Sequence, residues 1–547
     1  MESQPEDQPS VVIPIDLFTE ALKNNDSAQA ISYLSDPVFR LNVSLGECLV
    51  ECAKYGNLIA LDFILNLHNR IHQCISYTDE SNKRALHHAA MHGPLECVVR
   101  LVRAGSTVNC CDSEGYTPLL CACQGGRADI VQYLVKEGAH INSSRSYKFG
   151  ETALHIAAKH GHAETVAILL DGRADINATT RNVDGNGGYT ALHKAANGGH
   201  TRVIEILCMR GAILDLKDSM GKTPLHFSAE KGDILSVEIF NKCGAPINLQ
   251  DERGKTPLAL AVREGYPEVV KHLIRCGSDI NMSDTRSLSP LHSAIAVLNY
   301  EIAESLLQAG AVINCQTNDT QESPLMVALS MGRPDLVQLM LNNGADVNLC
   351  DFKCYSPLHR SQTIGYPDTV KEELTELLLQ AGGKLNARDH QGHIPLHRSI
   401  FTGSIRGRQC TPCIRLLVEA GSKLKQDTFA HTRTSPLYWL CSKGDLNIAR
   451  YLVQCGWELQ SESWIRFSGK TPEQTHLHRL FQILNKSVHS LKILCRAVVR
   501  ETVSLAVEDA EIVSPITSLP LPQAVKNFLC LRTCEVSEDD VLMMESH

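Results

Sequence analysis

Seven histidines, His87, His155, His193, His226, His292, His359 and His397, each directly follow a leucine. Near neutrality an imidazole can act as a general acid or base or bind a metal. The 21 cysteines add thiol chemistry, and Cys410 and Cys413 form a C-x-x-C. A structural zinc needs four ligands, and no second cysteine pair lies at suitable spacing, so neither metal nor cofactor is expected. Catalysis also needs convergent partners, which one residue type recurring at a fixed place does not supply. Such a histidine is most simply part of a repeated turn, its two ring nitrogens tying one unit to the next. No phosphate-cradling glycine loop, nucleophile elbow or zincin motif is present. The expectation is a binding surface without a catalytic site of its own.

The histidines inherit their spacing from a larger pattern. "RALHHAA", "YTPLLCA", "ETALHIAA", "YTALHKAA", "KTPLHFSA", "KTPLALA", "LSPLHSA", "ESPLMVA", "YSPLHRS", "HIPLHRS" and "TSPLYWL" place central leucines from Leu86 to Leu437, separated by 33, 35, 38, 33, 33, 33, 34, 33, 38 and 41 residues. A period held over eleven copies marks a repeat array. In seven of the eleven copies Thr or Ser before Pro predicts a helix start, as at Thr223-Pro224. Seven residues after the leucine a glycine predicts its end in ten copies, Leu298 standing in the other. A second helix with apolar residues three and four apart follows, such as Ile130, Val131, Leu134 and Val135, and stops at a further glycine. An extended turn such as "ADVNLCDFKC" leads into the next copy.

Composition agrees with a folded protein: 547 residues, 43% hydrophobic and 21% charged. A net charge of −9 without basic clusters argues against nucleic acid. No apolar run suits a membrane span and the acidic start lacks signal-peptide features, so a cytoplasmic, also nuclear, location with reduced buried thiols is expected.

With its "TPLHxA" signature the array resembles the ankyrin repeat over residues 48–486, counting "ECLVECAKYGN" as a degenerate first unit and a terminal helix after the last. The resemblance implies an all-α dominated solenoid of helix pairs with β-hairpin fingers. Asn281 and Asn348 resemble asparagines that are hydroxylated in some ankyrin repeats.

Departures from the period map to loops, often on a binding face. After Gly172 the finger lengthens through "NATTRNVDGNGGY", carrying Arg181 and Asp184; after Gly138, "SSRSYKFG" carries Arg145, Tyr147 and Lys148. Between the two helices of a repeat, "SQTIGYPDTVKEELTE" and "SIFTGSIRGRQCTPC" are long, the latter adding Arg406 and Arg408. Arg and Tyr are enriched at binding hot spots, which makes these the candidate substrate-binding residues.

A different pattern starts near residue 487. In "HSLKILCRAVVRETVSL", Leu491, Cys495 and Val499 are spaced by four, giving a helix an apolar stripe that a segment this short cannot bury alone. Residues 487–534 resemble a SOCS box. In that family the element matched by Ser490, Leu491, Cys495 and Val499 binds Elongin C, and the "LPLP" element, here Leu519, Pro520, Leu521 and Pro522, selects the cullin. Residues 1–47 form an N-terminal segment, partly helical or disordered, and 535–547 an acidic tail. The resemblance to the ankyrin repeat and SOCS box family implies a substrate-recognition subunit of a cullin-RING ubiquitin ligase. Its partners would be Elongin B/C, a Cullin-5-class cullin with its RING protein, and a protein target. The alternative is a plain ankyrin scaffold whose last helices pack inward against Leu477 and Leu480.

Overall fold

The computed structural model describes residues 15–67, 71–144, 150–181, 187–363, 365–406, 410–424, 435–443, 445–455 and 457. The chain forms two compact units, 1–279 and 280–547. Every regular element among the described residues is helical.

The first unit opens with three short helices, Ile15–Lys23, Ser27–Ser35 and Pro37–Asn42, closed around the fully buried Phe18, Leu34 and Phe39. Helix pairs follow: Leu45–Tyr55 with Leu58–Leu65, Ala85–His92 with Leu95–Arg103, Pro118–Gln124 with Ala128–Lys136, Ala153–Lys159 with Ala163–Asp171, Ala191–Gly198 with Thr201–Met209, Pro224–Lys231 with Ile234–Lys242, and Pro257–Glu264 with Pro267–Arg275. In the second unit Pro290–Ala296 pairs with Tyr300–Gln308, Pro324–Met331 with Pro334–Asn342, Pro357–Thr363 with Asp368–Gln380, Pro395–Arg406 with Thr411–Ala420, and Pro436–Lys443 with Leu446–Gln454.

The pairs repeat because their sequence does. Leu192, Ala195 and Ala196 of one helix and Val203, Ile204 and Leu207 of the next are wholly buried. Each leucine so buried contributes roughly 1.5–3 kcal/mol. The alanines keep the first helices thin enough to stack on their neighbours. Threonine or serine starts most of the first helices: the Thr256 hydroxyl accepts from the Ala259 N–H at 3.2 Å.

The fingers contain no strand among the described residues; most are turns locked on an aspartate, with Thr180 and Thr317 taking its place in two of them. Asp218 Oδ1 accepts the Met220 and Lys222 N–H groups at 2.9 and 2.8 Å, and its own N–H donates to the Lys222 carbonyl. Single backbone bonds such as Glu252 N–H to Met220 O then join finger to finger, too sparse to make a ladder.

Side chains fasten successive repeats inside each unit. His87, His155, His193 and His226 in the first unit, and His292 and His359 in the second, accept the N-cap backbone N–H at Nδ1. Their Nε2 lies 2.8–3.1 Å from a carbonyl of the following finger. That pairing selects the neutral Nε2–H tautomer. The corresponding partner of His397 falls outside the described residues. Asparagines make a second series: Asn109, Asn142, Asn177 and Asn248 accept from His140, Asp175, Ile213 and Asp279, and Asn281, Asn314, Asn348 and Asn386 accept from Val312, Asp346, Lys384 and Lys423. One rung is absent for a chemical reason. Asp215 holds the asparagine position and faces Pro246, which has no N–H to donate.

Three local expectations change. The lengthened inter-helix segments become helix: Asp368–Gln380 has 13 residues where most second helices have nine, and Pro395–Arg406 has 12. Extra residues inside a helix satisfy their own backbone groups, which an added loop would not. Gly403 therefore lies within a helix and does not end one, and Arg406 is the last residue of a helix. Leu298 itself takes the left-handed conformation, φ 59°, where other copies have glycine.

Candidate functional site

Within each unit a candidate binding face is formed by the finger tips and by charged or aromatic residues two and five positions after a central leucine on the first helices, part-exposed at Lys194, Glu230, Arg263 and Arg360 and buried at Phe227 and Arg398. In the first unit these positions bring together Lys194, Phe227, Glu230 and Arg263, with Tyr189 and Lys222 from the adjoining fingers. The Lys194 ammonium lies 3.0 Å from the buried carboxylate of Glu151 and 4.6 Å from the Tyr189 ring centre. Lys222 reaches Glu230 at 2.7 Å and stands over the Phe227 ring, while Arg263 reaches Glu230 at 2.9 Å. Burial pushes the Glu230 carboxyl up, but Lys222 and Arg263 outweigh it and hold it below its ordinary range. The result is a charge-balanced strip with aromatic faces between the charges.

The second unit carries its own strip. Arg360 pairs with Glu322 and donates to the Ser330 hydroxyl at 3.0 Å. Arg398 donates to Asp389 at 2.6 Å and to Gln391 at 2.8 Å, and its guanidinium lies 4.9 Å from the Tyr355 ring centre. Phe401 meets Trp439 edge to face at 5.4 Å. Burial pushes the Asp389 carboxyl up, and Arg398 with the finger N–H groups more than reverses it. Two finger tips present apolar side chains, Met220 and Phe352, the latter 54% exposed beneath Lys353.

Six of the seven recurring histidines are held as neutral structural rings. Burial pushes His193, His226 and His292 down to about 4 and lowers His87, His155 and His359, while both ring nitrogens are occupied by backbone. Among the described residues no group of three or more His, Cys, Asp or Glu is gathered as a metal site would be. No helix among them is long and apolar enough to cross a membrane.

Of the candidate binding residues, Arg181 is exposed at the root of the lengthened finger. Its side chain leans on Gly150, and the finger base stays closed by Thr180 N–H to Tyr189 O at 2.9 Å. Arg145, Tyr147, Lys148, Asp184 and Arg408 lie outside the described residues, as do Ser490, Leu491, Cys495, Val499, Leu519, Pro520, Leu521 and Pro522. The lysine, arginine and aromatic residues of the two strips were not among the candidates. Their signal was available: a charged or aromatic side chain two or five places after a central leucine.

The family model for ankyrin repeats (3 copies) matches overlapping stretches, 49–145, 86–180, 143–218, 179–251, 209–284, 229–317, 258–351 and 291–372, which span more than half of the chain. The chain belongs to the ankyrin-repeat family. Several proteins are similar to part of this chain. The probable E3 ubiquitin-protein ligase XBOS32 of Oryza sativa subsp. japonica is 34% identical over 125 residues, 23% of this chain and 25% of that protein. The E3 ubiquitin-protein ligase XBAT32 of Arabidopsis thaliana is 34% identical over 125 residues, 23% of this chain and 24% of its own. Alpha-latrotoxin-Lh1a of Latrodectus hasselti is 34% identical over 113 residues, 20% of this chain and 8% of the toxin. The chain thus spans about a quarter of the length of the curated ligases it matches. These relatives correct one expectation. An ankyrin adaptor without a catalytic site of its own was expected, whereas the similar plant proteins are named ubiquitin-protein ligases, which are enzymes.

Proposed function

We propose that this ankyrin protein works in an E3 ubiquitin ligase, its repeats holding a protein target and a C-terminal SOCS box joining Elongin B/C and a Cullin-5-class cullin with its RING protein. One observation carries the finer half of the proposal: Ser490, Leu491, Cys495 and Val499 are followed in order by Leu519, Pro520, Leu521 and Pro522 behind an ankyrin array. The ligase names of the plant relatives support the coarser half. The apolar Leu491 stripe is too small to be buried within its own segment and so calls for a partner. Repeat faces bearing Lys194, Tyr189 and Arg263, or Arg360 and Tyr355, offer aromatic and cationic anchors to a folded or extended protein. Arg145, Tyr147, Lys148, Arg181, Asp184, Arg406 and Arg408 are further target-contact candidates in this proposal. Holding a target close to a charged ubiquitin carrier accelerates transfer by proximity.

The test is co-purification of the full chain with Elongin B/C and the cullin. A buried leucine anchor is worth roughly 1.5–3 kcal/mol, so Leu491→Ala should weaken Elongin binding about 10- to 150-fold. Leu491→Ala with Cys495→Ala should abolish it. Leu521→Ala with Pro522→Ala should lose the cullin and keep Elongin B/C. Undiminished recovery of Elongin with the first pair would refute the proposal.

A further inference from the structure

Cys410 and Cys413 have no part in the binding faces, and their surroundings set them apart from the other thiols. Cys410 stands at the N-cap of the helix Thr411–Ala420 and Cys413 lies in its first turn, with Pro412 between them. The proline fixes φ at the start of the helix and so limits the freedom of the two sulfurs. Those sulfurs are 2.7 Å apart, closer than the sum of two sulfur radii. Both are free thiols, nearly or fully buried. Facing them from the helix Asp368–Gln380 are the buried Lys371 ammonium and the Thr375 hydroxyl, with Asp368 on the rim.

Elsewhere burial makes thiols inert. Cys48, Cys97 and Cys121 are pushed up to about 12, which leaves almost no thiolate at neutral pH. Cys410 moves the other way. The Cys413 thiol and backbone N–H favour its thiolate and outweigh its burial, while Cys413 is raised as the proton holder of the pair. One sulfur is poised to attack and the other is in place to resolve.

We propose that Cys410 and Cys413 form a reversible oxidation site that closes an intrachain disulfide on meeting a hydroperoxide. The Cys410 thiolate attacks one peroxide oxygen and the O–O bond breaks, giving a Cys410 sulfenic acid and a hydroxide, which is protonated to water. The Cys413 sulfur then attacks the sulfenic sulfur. The S–O bond breaks, the S–S bond forms, and the departing hydroxide takes the Cys413 proton as a second water. Two thiols are oxidised and one hydrogen peroxide is reduced to two waters. A cellular thiol such as glutathione reverses the step by thiol–disulfide exchange.

The sequence supplies a clean readout, because trypsin releases Gln409–Arg415 with these two cysteines and no other. The full chain is exposed to graded hydrogen peroxide, alkylated, digested and weighed. The expected result is that this peptide loses two hydrogens before the peptides holding Cys48, Cys97 or Cys121 change, and that dithiothreitol restores both alkylation sites. Cys413→Ser should accumulate a dimedone-reactive Cys410, whereas Cys410→Ser should leave Cys413 unlabelled. The proposal is overturned if both thiols in the wild-type peptide remain alkylated after the other cysteines have oxidised. Equal dimedone labelling of the two variants, or one equivalent of zinc released from the pair by peroxide, would overturn it too.

Discussion

His226 offers a direct measure of how much a single fastener holds. Its Nδ1 accepts the Thr223 N–H at 3.0 Å and its Nε2 reaches the Lys255 carbonyl at 3.0 Å, with the ring wholly buried. Protonation would put a hydrogen on Nδ1 and break the first of these bonds, so burial and geometry both favour the neutral ring. The ring titrates at about 4 in the folded chain against 6.5 in an exposed one. Below 6.5 the unfolded chain therefore binds more protons, and stability falls as pH falls towards the folded value. The gap between those values caps the loss at about 3 kcal/mol, of which about 2 kcal/mol falls between roughly pH 7 and pH 5. His226→Gln can still donate towards Lys255 but cannot titrate. Urea unfolding of the full chain at both pH values, followed by circular dichroism, should show the variant less stable at pH 7 yet losing about 2 kcal/mol less on acidification. Equal acid losses in the two proteins would refute the assignment of a neutral, hydrogen-bonded ring.

Two further outcomes follow from the packing. Gly232→Ala puts a Cβ 2.6 Å from the Tyr266 ring at φ 73°, whereas Gly244→Ala at φ 79° meets nothing within 4 Å. Chemical denaturation should show about 1–2 kcal/mol of backbone strain at Gly244 and a larger loss at Gly232, the difference being the ring contact. Arg398→Met leaves the buried Asp389 carboxylate without its guanidinium and should cost about 3–5 kcal/mol, while Arg398→Met with Asp389→Asn should recover part of the loss in the same assay.

The repeat was legible because its defining residues do their work locally. Thr223, Pro224, Leu225 and His226 start a helix, seat it and fasten it within one turn of chain, so their order alone carries the plan. The fingers were harder. A hairpin and an aspartate-locked turn need the same Asp and Gly, and only the count of hydrogen bonds between fingers separates them. The helical fate of 368–380 and 395–406 escaped because Tyr366-Pro367 and Gly403 look like breaks, whereas stacking on neighbouring repeats can carry a helix past a glycine. At the binding face, Lys194, Glu230 and Arg263 read as ordinary surface charges until adjacent repeats bring them within reach of one another. That meeting depends on 33-residue separations such as Glu230 to Arg263, which local patterns do not display.

The pairing of Asp215 with Pro246 bears on how this protein can change. Where an asparagine holds the neighbouring repeat, its replacement loses the hydrogen bond that joins the two. A proline opposite removes that duty. Asp215 is an exposed carboxylate with no neighbouring amide to hold, so its turn is open to variation without loosening the stack. A repeat array gains new partners through positions of this kind, where sequence can drift while the backbone stays in place.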